Sequence, residues 1–228
     1  MGWGTVADWL VGMGTLVLAG VAVGQPTIHG WFYGPKFKVT TRTEPPDCVA
    51  VPITDLQGNF IADCVFLRLW IENEGNEAAR NVEVYAKELR RRRADDTWER
   101  VAAFPPMNLK WANTNAAIYY PVISPMMGKH CDIAHVVDPG RRKRPALMEN
   151  NPALGLADDK TSLTFDLQTS PNHRGHIVGP GKYELDLLIA AENADPIAHT
   201  IEIRLEGPWD SNETRMLRDF VGIKAPTA

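Results

Sequence analysis

The chain has 228 residues, 44% hydrophobic and 23% charged, which excludes a disordered chain and allows one sizeable domain or two small ones. Its net charge of −4 argues against a dedicated nucleic-acid binder, whose domain is as a rule strongly basic. Three cysteines, Cys48, Cys64 and Cys131, do not describe a disulfide framework; reduced buried thiols are expected, with a single Cys48–Cys64 bridge as the alternative.

Residues 1–35 read as a membrane anchor with an interfacial aromatic segment. From Trp9 to Pro35 there is no Asp, Glu, Lys or Arg, and the core "WLVGMGTLVLAGVAV" is apolar or small throughout. A helix from Trp9 to Trp31 would measure about 33 Å, close to the hydrocarbon thickness of a bilayer. Trp3 and Trp9 flank one side, and Trp31, Phe32 and Tyr33 the other, as amphipathic rings do at the two water–lipid boundaries. Pro26 removes a backbone donor and ends or kinks such a helix, and Gly20 and Gly24 have GxxxG spacing. Lys36, Lys38 and Arg42 follow the apolar stretch, so the positive-inside rule puts the large domain in the cytoplasm. A cleaved signal peptide and a buried core helix are the competing readings of the same residues.

Residues 36–209 read mainly as strands. "VFLRLWIEN" alternates Val65, Leu67, Leu69 and Ile71 against Phe66, Arg68, Trp70 and Glu72; "NVEVYAKEL" sets Val82, Val84 and Ala86 on one face. A hairpin turn falls at Ala94–Thr97. "SLTFDLQ", "GPGKYELDLLIAAEN" and "HTIEIRLEG" alternate in the same way. Short alternating strands between turn signals predict an antiparallel β-sandwich. Two long Pro- and Asn-rich connections, 104–125 and 138–160, are expected to present a contact surface. In the last segment, 210–228, Asp210 or Ser211 caps a short amphipathic helix with Met216, Leu217, Phe220 and Val221 on its apolar face and Gly222 as its stop.

The stretch "LRLWIENEGNEAARNVEVYA" resembles the hairpin of immunoglobulin-like adhesion-type modules of bacterial proteins, through Asn73, Gly75, Ala78 or Ala79, Val82 and Val84. "SPMMGKHCDIAHV", with Gly128 before its alternation, and "GKYELDLLI" resemble later strands of those modules. The resemblance covers about half of the domain and implies an immunoglobulin-like fold and no activity.

Motifs for chemistry are sparse. His130, Cys131, Asp132 and His135 are all metal-ligand types, but on a regular strand His130 and His135 point to opposite faces, which breaks a zinc site. His173 and His176 share a loop without a further ligand nearby. No G-x-S-x-G, H-E-x-x-H, Walker-A or Rossmann pattern occurs. Of two basic runs, Arg90–Arg93 alternates faces, whereas Arg141, Arg142, Lys143 and Arg144 sit in a Pro-flanked loop and are the expected anionic-partner site. The expectation is a single-pass membrane-anchored interaction module without catalytic activity or cofactor. Its contacts would be the membrane, a protein partner and anionic lipid, with no nucleic acid. A metal-dependent enzyme using the His130–His135 region and an extracytoplasmic structural or adhesion domain are the alternatives.

Overall fold

The computed structural model describes residues 9–11, 13–19, 34–114, 117–147 and 149–225. Residues 9–11 and 13–19 are helical, and Trp9, Leu10, Val11, Met13, Leu16, Val17 and Leu18 are all exposed. Among the described residues no helix is long and apolar enough to cross a membrane, which departs from the expected span. Trp3, Trp31, Phe32, Tyr33 and the Gly20–Gly24 pair lie outside the described residues.

From residue 37 the chain is mainly β. In order it forms β1 (Phe37–Thr40), β2 (Cys48–Thr54), β3 (Phe60–Asn73), β4 (Ala79–Arg92), β5 (Trp98–Arg100), β6 (Met107–Asn108), β7 (Lys110–Trp111), β8 (Tyr120–Ile123) and β9 (Met127–Val137). Then come β10 (Leu163–Phe165), β11 (Ile177–Val178), β12 (Gly181–Ala191), β13 (Ala194–Leu205) and β14 (Val221–Lys224). Two antiparallel sheets result. The first runs β1-β3-β9-β10-β11, with β2 on β3 and β7 on β9; the second runs β14-β13-β12-β4-β5, with β6 and β8 on β4.

The alternation in the sequence is what closes the core. Val65, Leu67, Leu69 and Ile71 of β3, Tyr183, Leu185, Leu187 and Ile189 of β12, and Ile201, Ile203 and Leu205 of β13 are all buried in one cluster shared by both sheets. Each such side chain contributes about 1.5–3 kcal/mol when fully buried. The segment 104–125 is not a surface connection. It carries β6, β7 and β8, and sends Phe104, Leu109, Trp111 and Ile123 into the core. The hairpin turn at 93–97 falls where expected, with Arg93 N donating to Thr97 O.

The C-terminal segment differs in part from its expected form. Asn212, not Asp210 or Ser211, caps the helix Glu213–Arg215, its side chain accepting from Arg215 N; a wide helical turn follows over Met216–Phe220. Val221 and Gly222, expected at the end of that helix, open β14, which pairs with β13. β-pairing satisfies backbone groups that a helix stop would leave to water.

Chain entry is fixed at one end of the two sheets. Buried Asn73 accepts from Lys36 N and Gly75 N, and donates to Glu77 O and Ile123 O. Gly34 N donates to Asn76 Oδ1. A Cβ on Gly75 would lie 2.1 Å from Gly34 O, so only glycine lets the incoming chain lie this close. We call this the near end; the hairpin 93–97 marks the far end. β12 runs 11 residues between them, about 33 Å at strand rise.

All three cysteines are free and buried. Cys48 lies in the main core and Cys64 in a small cluster with Ala62 and Val137, so the two do not pair. Burial pushes the Cys48 and Cys64 thiols up to about 12 and the Cys131 thiol well above its ordinary value. Since the thiolate is the reactive form, a colorimetric thiol assay on native protein should read less than about 0.1 equivalent, and all three thiols after denaturation. Two reactive thiols or fewer after denaturation would place a disulfide in the chain.

Candidate functional site

Two polar regions stand out, one on the outer face of each sheet. The first involves the metal-ligand types of β9, and there the strand-parity expectation fails. Between β3 and β9 the register shifts at Leu67/Arg68: Leu67 pairs with Ala134 but Arg68 with Asp132, leaving Ile133 as an extra residue. This bulge brings His130, Asp132 and His135 to the same outer face, opposite Trp70, Arg68 and Phe66. Cys131 points to the core, as expected.

Sharing a face does not bring the three together as ligands. His130 Nε2 lies 3.0 Å from Asp47 Oδ1 and its ring packs edge-on to Trp70. Asp132 accepts from Arg68 Nε at 2.7 Å. His135 is clamped between two carboxylates, with Nδ1 at 3.0 Å from Asp166 and Nε2 at 3.1 Å from Glu149; the Thr164 hydroxyl donates to the other oxygen of Glu149. Among the described residues no group of three or more His, Cys, Asp and Glu could hold a metal ion.

Electrostatics make this an ion triad. Burial alone would push the His135 pKa down, but the Asp166 and Glu149 carboxylates outweigh it and hold the imidazole well above its ordinary value. Glu149 is correspondingly lowered: burial pushes it up most strongly of any single cause, but the His135 charge and the hydrogen bonds from His135 and Thr164 together outweigh it. With both ring nitrogens donating to carboxylates, His135 has no lone pair to take a proton from Thr164 or from water. The arrangement fastens the 138–160 segment to β9 and β10.

The basic loop is tied into the same segment. Arg142 is buried, its guanidinium donating to the carbonyls of Lys160, Leu156 and Ala157. Arg144 donates to Ile61 O, Lys143 pairs with Asp158, and Arg141 stacks over Phe60. Arg142 is thereby spent inside the fold, and its three neighbours reach solvent while each holds a contact within the chain. His173 accepts from Gly175 N, and His176 is buried with Nδ1 unpartnered.

The second region is a groove of about 780 Å³ at the far end, over the outer face of the second sheet. Its floor is a cross-strand row. Trp98 of β5 pairs with Arg92 of β4; Arg91 pairs with Tyr183, which sets Arg92 alongside Lys182 of β12; Lys182 pairs with Arg204 of β13, and Arg204 with Gly222 of β14. Five adjacent strands span about 19 Å at sheet spacing. The helical segment 213–218 and residues 43–45 build the walls. Arg218 and Lys224 bring the cations of the lining to five, against Glu44, Glu202 and Glu213, in a chain whose net charge is −4.

Like charges directly opposite each other on neighbouring strands are unfavourable, so this row needs compensation. Some is internal: Arg204 donates to the carbonyls of Asp219 and Arg218, Arg218 pairs with Asp219, and Arg92 with Asp96. Glu213 accepts from Ala50 N. The side chains of Lys182 and Lys224 are exposed and make no hydrogen bond or ion pair within the described residues. The sequence reading missed this site because its residues come from five strands spread over more than 120 positions. The signal available was cationic side chains at outward positions of β4, β12 and β13.

Lys36 and Lys38 lie at the near end, Lys38 paired with Glu74. Trp9 is exposed on the N-terminal helix. The fold and groove define a two-sheet antiparallel β domain with a cation-lined cleft at one end. Compared with known protein families and with curated proteins, the chain matches none.

Proposed function

We propose that this chain is a membrane-anchored, immunoglobulin-like interaction module whose far-end groove binds an extended acidic segment of a protein partner. The observation that carries the reading is the row Arg92, Lys182 and Arg204, like charges held side by side in one cleft that Trp98 closes at its end. The floor from Trp98 to Gly222 is about 19 Å long and matches some six residues of extended chain, whereas a single phosphate would engage only part of it. Trp98 offers an apolar plate beside the charges, as aromatic residues do at interface hot spots.

Strand order supports the immunoglobulin-like part. Consecutive long strands β3 and β4 lie in different sheets, β9 returns to β3, and the β12–β13 hairpin adds to β4. That is the pattern A-B-E on one side and C-F-G on the other. The anchor rests on the uncharged stretch before Lys36 and on the helical residues 9–11 and 13–19, whose large apolar side chains are exposed. Lys36, Lys38 and Arg42 after that stretch support a cytoplasmic side for the domain. The groove then faces away from the bilayer by about the length of β12.

A fluorescein-labelled hexapeptide of alternating Asp and Glu, titrated with the full chain in detergent, tests the groove by anisotropy. Lys182→Glu together with Lys224→Glu should weaken binding by about tenfold or more and flatten its salt dependence. Arg141→Glu with Lys143→Glu, in the basic loop, should leave it within about twofold. Equal affinity of the groove variant and the natural chain, or no binding by the natural chain, overturns the proposal.

A further inference from the structure

The near end carries exposed apolar side chains. Met126 is 70% exposed, Met127 54% and Val122 47%, and Ile118 and Tyr119 stand exposed one step further along the flank. Val122 lies in β8, Met126 in the turn between β8 and β9, Met127 at the start of β9, and Ile118 and Tyr119 on the approach to β8. A large apolar rim on a soluble domain marks a surface that something covers.

The fold says where this rim stands relative to the incoming chain. Met127 pairs with Asn73 and Met126 N donates to Asn73 O, while Asn73 Oδ1 accepts from Lys36 N and Phe37 pairs with Asn73. One buried side chain thus joins the rim to the residue that follows the uncharged stretch. Met126 also has φ +58°, a left-handed conformation in which Gly or Asn costs less. A turn tip in water has no use for a methionine there. Lys36 and Arg80 are exposed at this end; of its acids, Glu74 is engaged by Lys38 and Glu192 by Asn81, while Asp195 of the β12–β13 hairpin is exposed as well.

We infer that this rim docks on the bilayer: Val122, Met126 and Met127 sink into the headgroup–acyl boundary, and Lys36 and Arg80 meet lipid phosphates. The inference rests on the anchor reading. An anchor that ends at Lys36 delivers the near end to the lipid surface, and shallow burial of several apolar side chains with flanking cations is the usual chemistry of interfacial attachment. Docking would hold the domain upright and keep the groove turned to the cytosol.

The test uses single reporter cysteines, Met126→Cys, Val122→Cys, Ile118→Cys and Asp96→Cys, labelled with an environment-sensitive dye. The native thiols are buried and stay unlabelled. The full chain is reconstituted into phosphatidylcholine vesicles doped with phosphatidylserine, with and without a lipid-borne quencher. The expected order of quenching is 126 and 122 above 118, and 118 above 96, with position 126 quenched about threefold or more over position 96. Vesicle-bound chain with equal quenching at 126 and 96 overturns rim docking and leaves the anchor standing. Chain that remains in the supernatant overturns both. A concentration-dependent blue shift at 126 without lipid makes a second copy the occupant and overturns the bilayer.

Discussion

Replacing His135 with alanine should lower the stability of the domain by about 3–5 kcal/mol, the usual cost of removing one partner from a buried ion cluster. Glu149 and Asp166, both buried, would be left facing a cavity with their charges uncompensated, and Thr164 would lose the geometry of its acceptor. In urea, with a slope of about 2 kcal/mol per molar, the unfolding midpoint should fall by about 2 M. Glutamine at the same position keeps a donor for one carboxylate and should cost less than alanine. A midpoint shift below about 0.5 M for His135→Ala would mean that water replaces the imidazole at no penalty, and the triad would not fasten the 138–160 segment. The effect belongs to stability: peptide binding in the groove, on the other sheet, should survive in the folded fraction.

Stability should also fall on mild acidification, with His176 as the main cause. Burial lowers its pKa to about 4, whereas the unfolded chain titrates near 6.5. Between those values the unfolded chain binds the extra proton, so stability decreases as pH falls, by up to about 2 kcal/mol from pH 6.5 to 4.5. His199, also lowered by burial, acts in the same sense. His135 acts oppositely. Its raised pKa makes its contribution fully present below about 6.5 and lost only as pH rises through a value well above that. Glu149, lowered, keeps its contribution above about 4.5 and loses it as pH falls further. Urea midpoints at pH 7, 6 and 5 should therefore decline steadily, and His176→Phe should flatten most of that decline. An unchanged slope in the variant would assign the acid sensitivity elsewhere.

Much of the fold could be read from local pattern. Alternation in β3, β12 and β13 named the inward residues correctly, because side-chain period two is a property of the extended chain and needs no partner. Asn73 and Gly75, singled out by resemblance, have a physical role at the chain's point of entry, where the Asn73 side chain makes four hydrogen bonds and a Cβ on Gly75 would lie 2.1 Å from Gly34 O. The β4–β5 turn was legible from its Asp pair. What alternation could not supply was its own interruptions. The bulge at Ile133 reverses the parity of β9 and puts His130 and His135 on one face, and it is visible only as two residues of one strand facing one of the next. The basic run 141–144 looked free because nothing nearby in sequence pairs with it; Arg142 finds its acceptors 14 to 18 residues on.

By itself, then, the sequence determined the β class, the inward residues of β3, β12 and β13, the β4–β5 turn and an uncharged apolar stretch ahead of Lys36. Each follows from forces acting within a few residues, namely side-chain period, backbone preference and hydropathy. Tertiary structure alone decided the pairing of strands, and through it the ion triad around His135, the burial of Arg142 and the row of cations from β4, β12 and β13. Those depend on which strands and loops meet, which brings together positions from 14 apart, as His135 and Glu149, to 90 apart, as Arg92 and Lys182, beyond the reach of any local window.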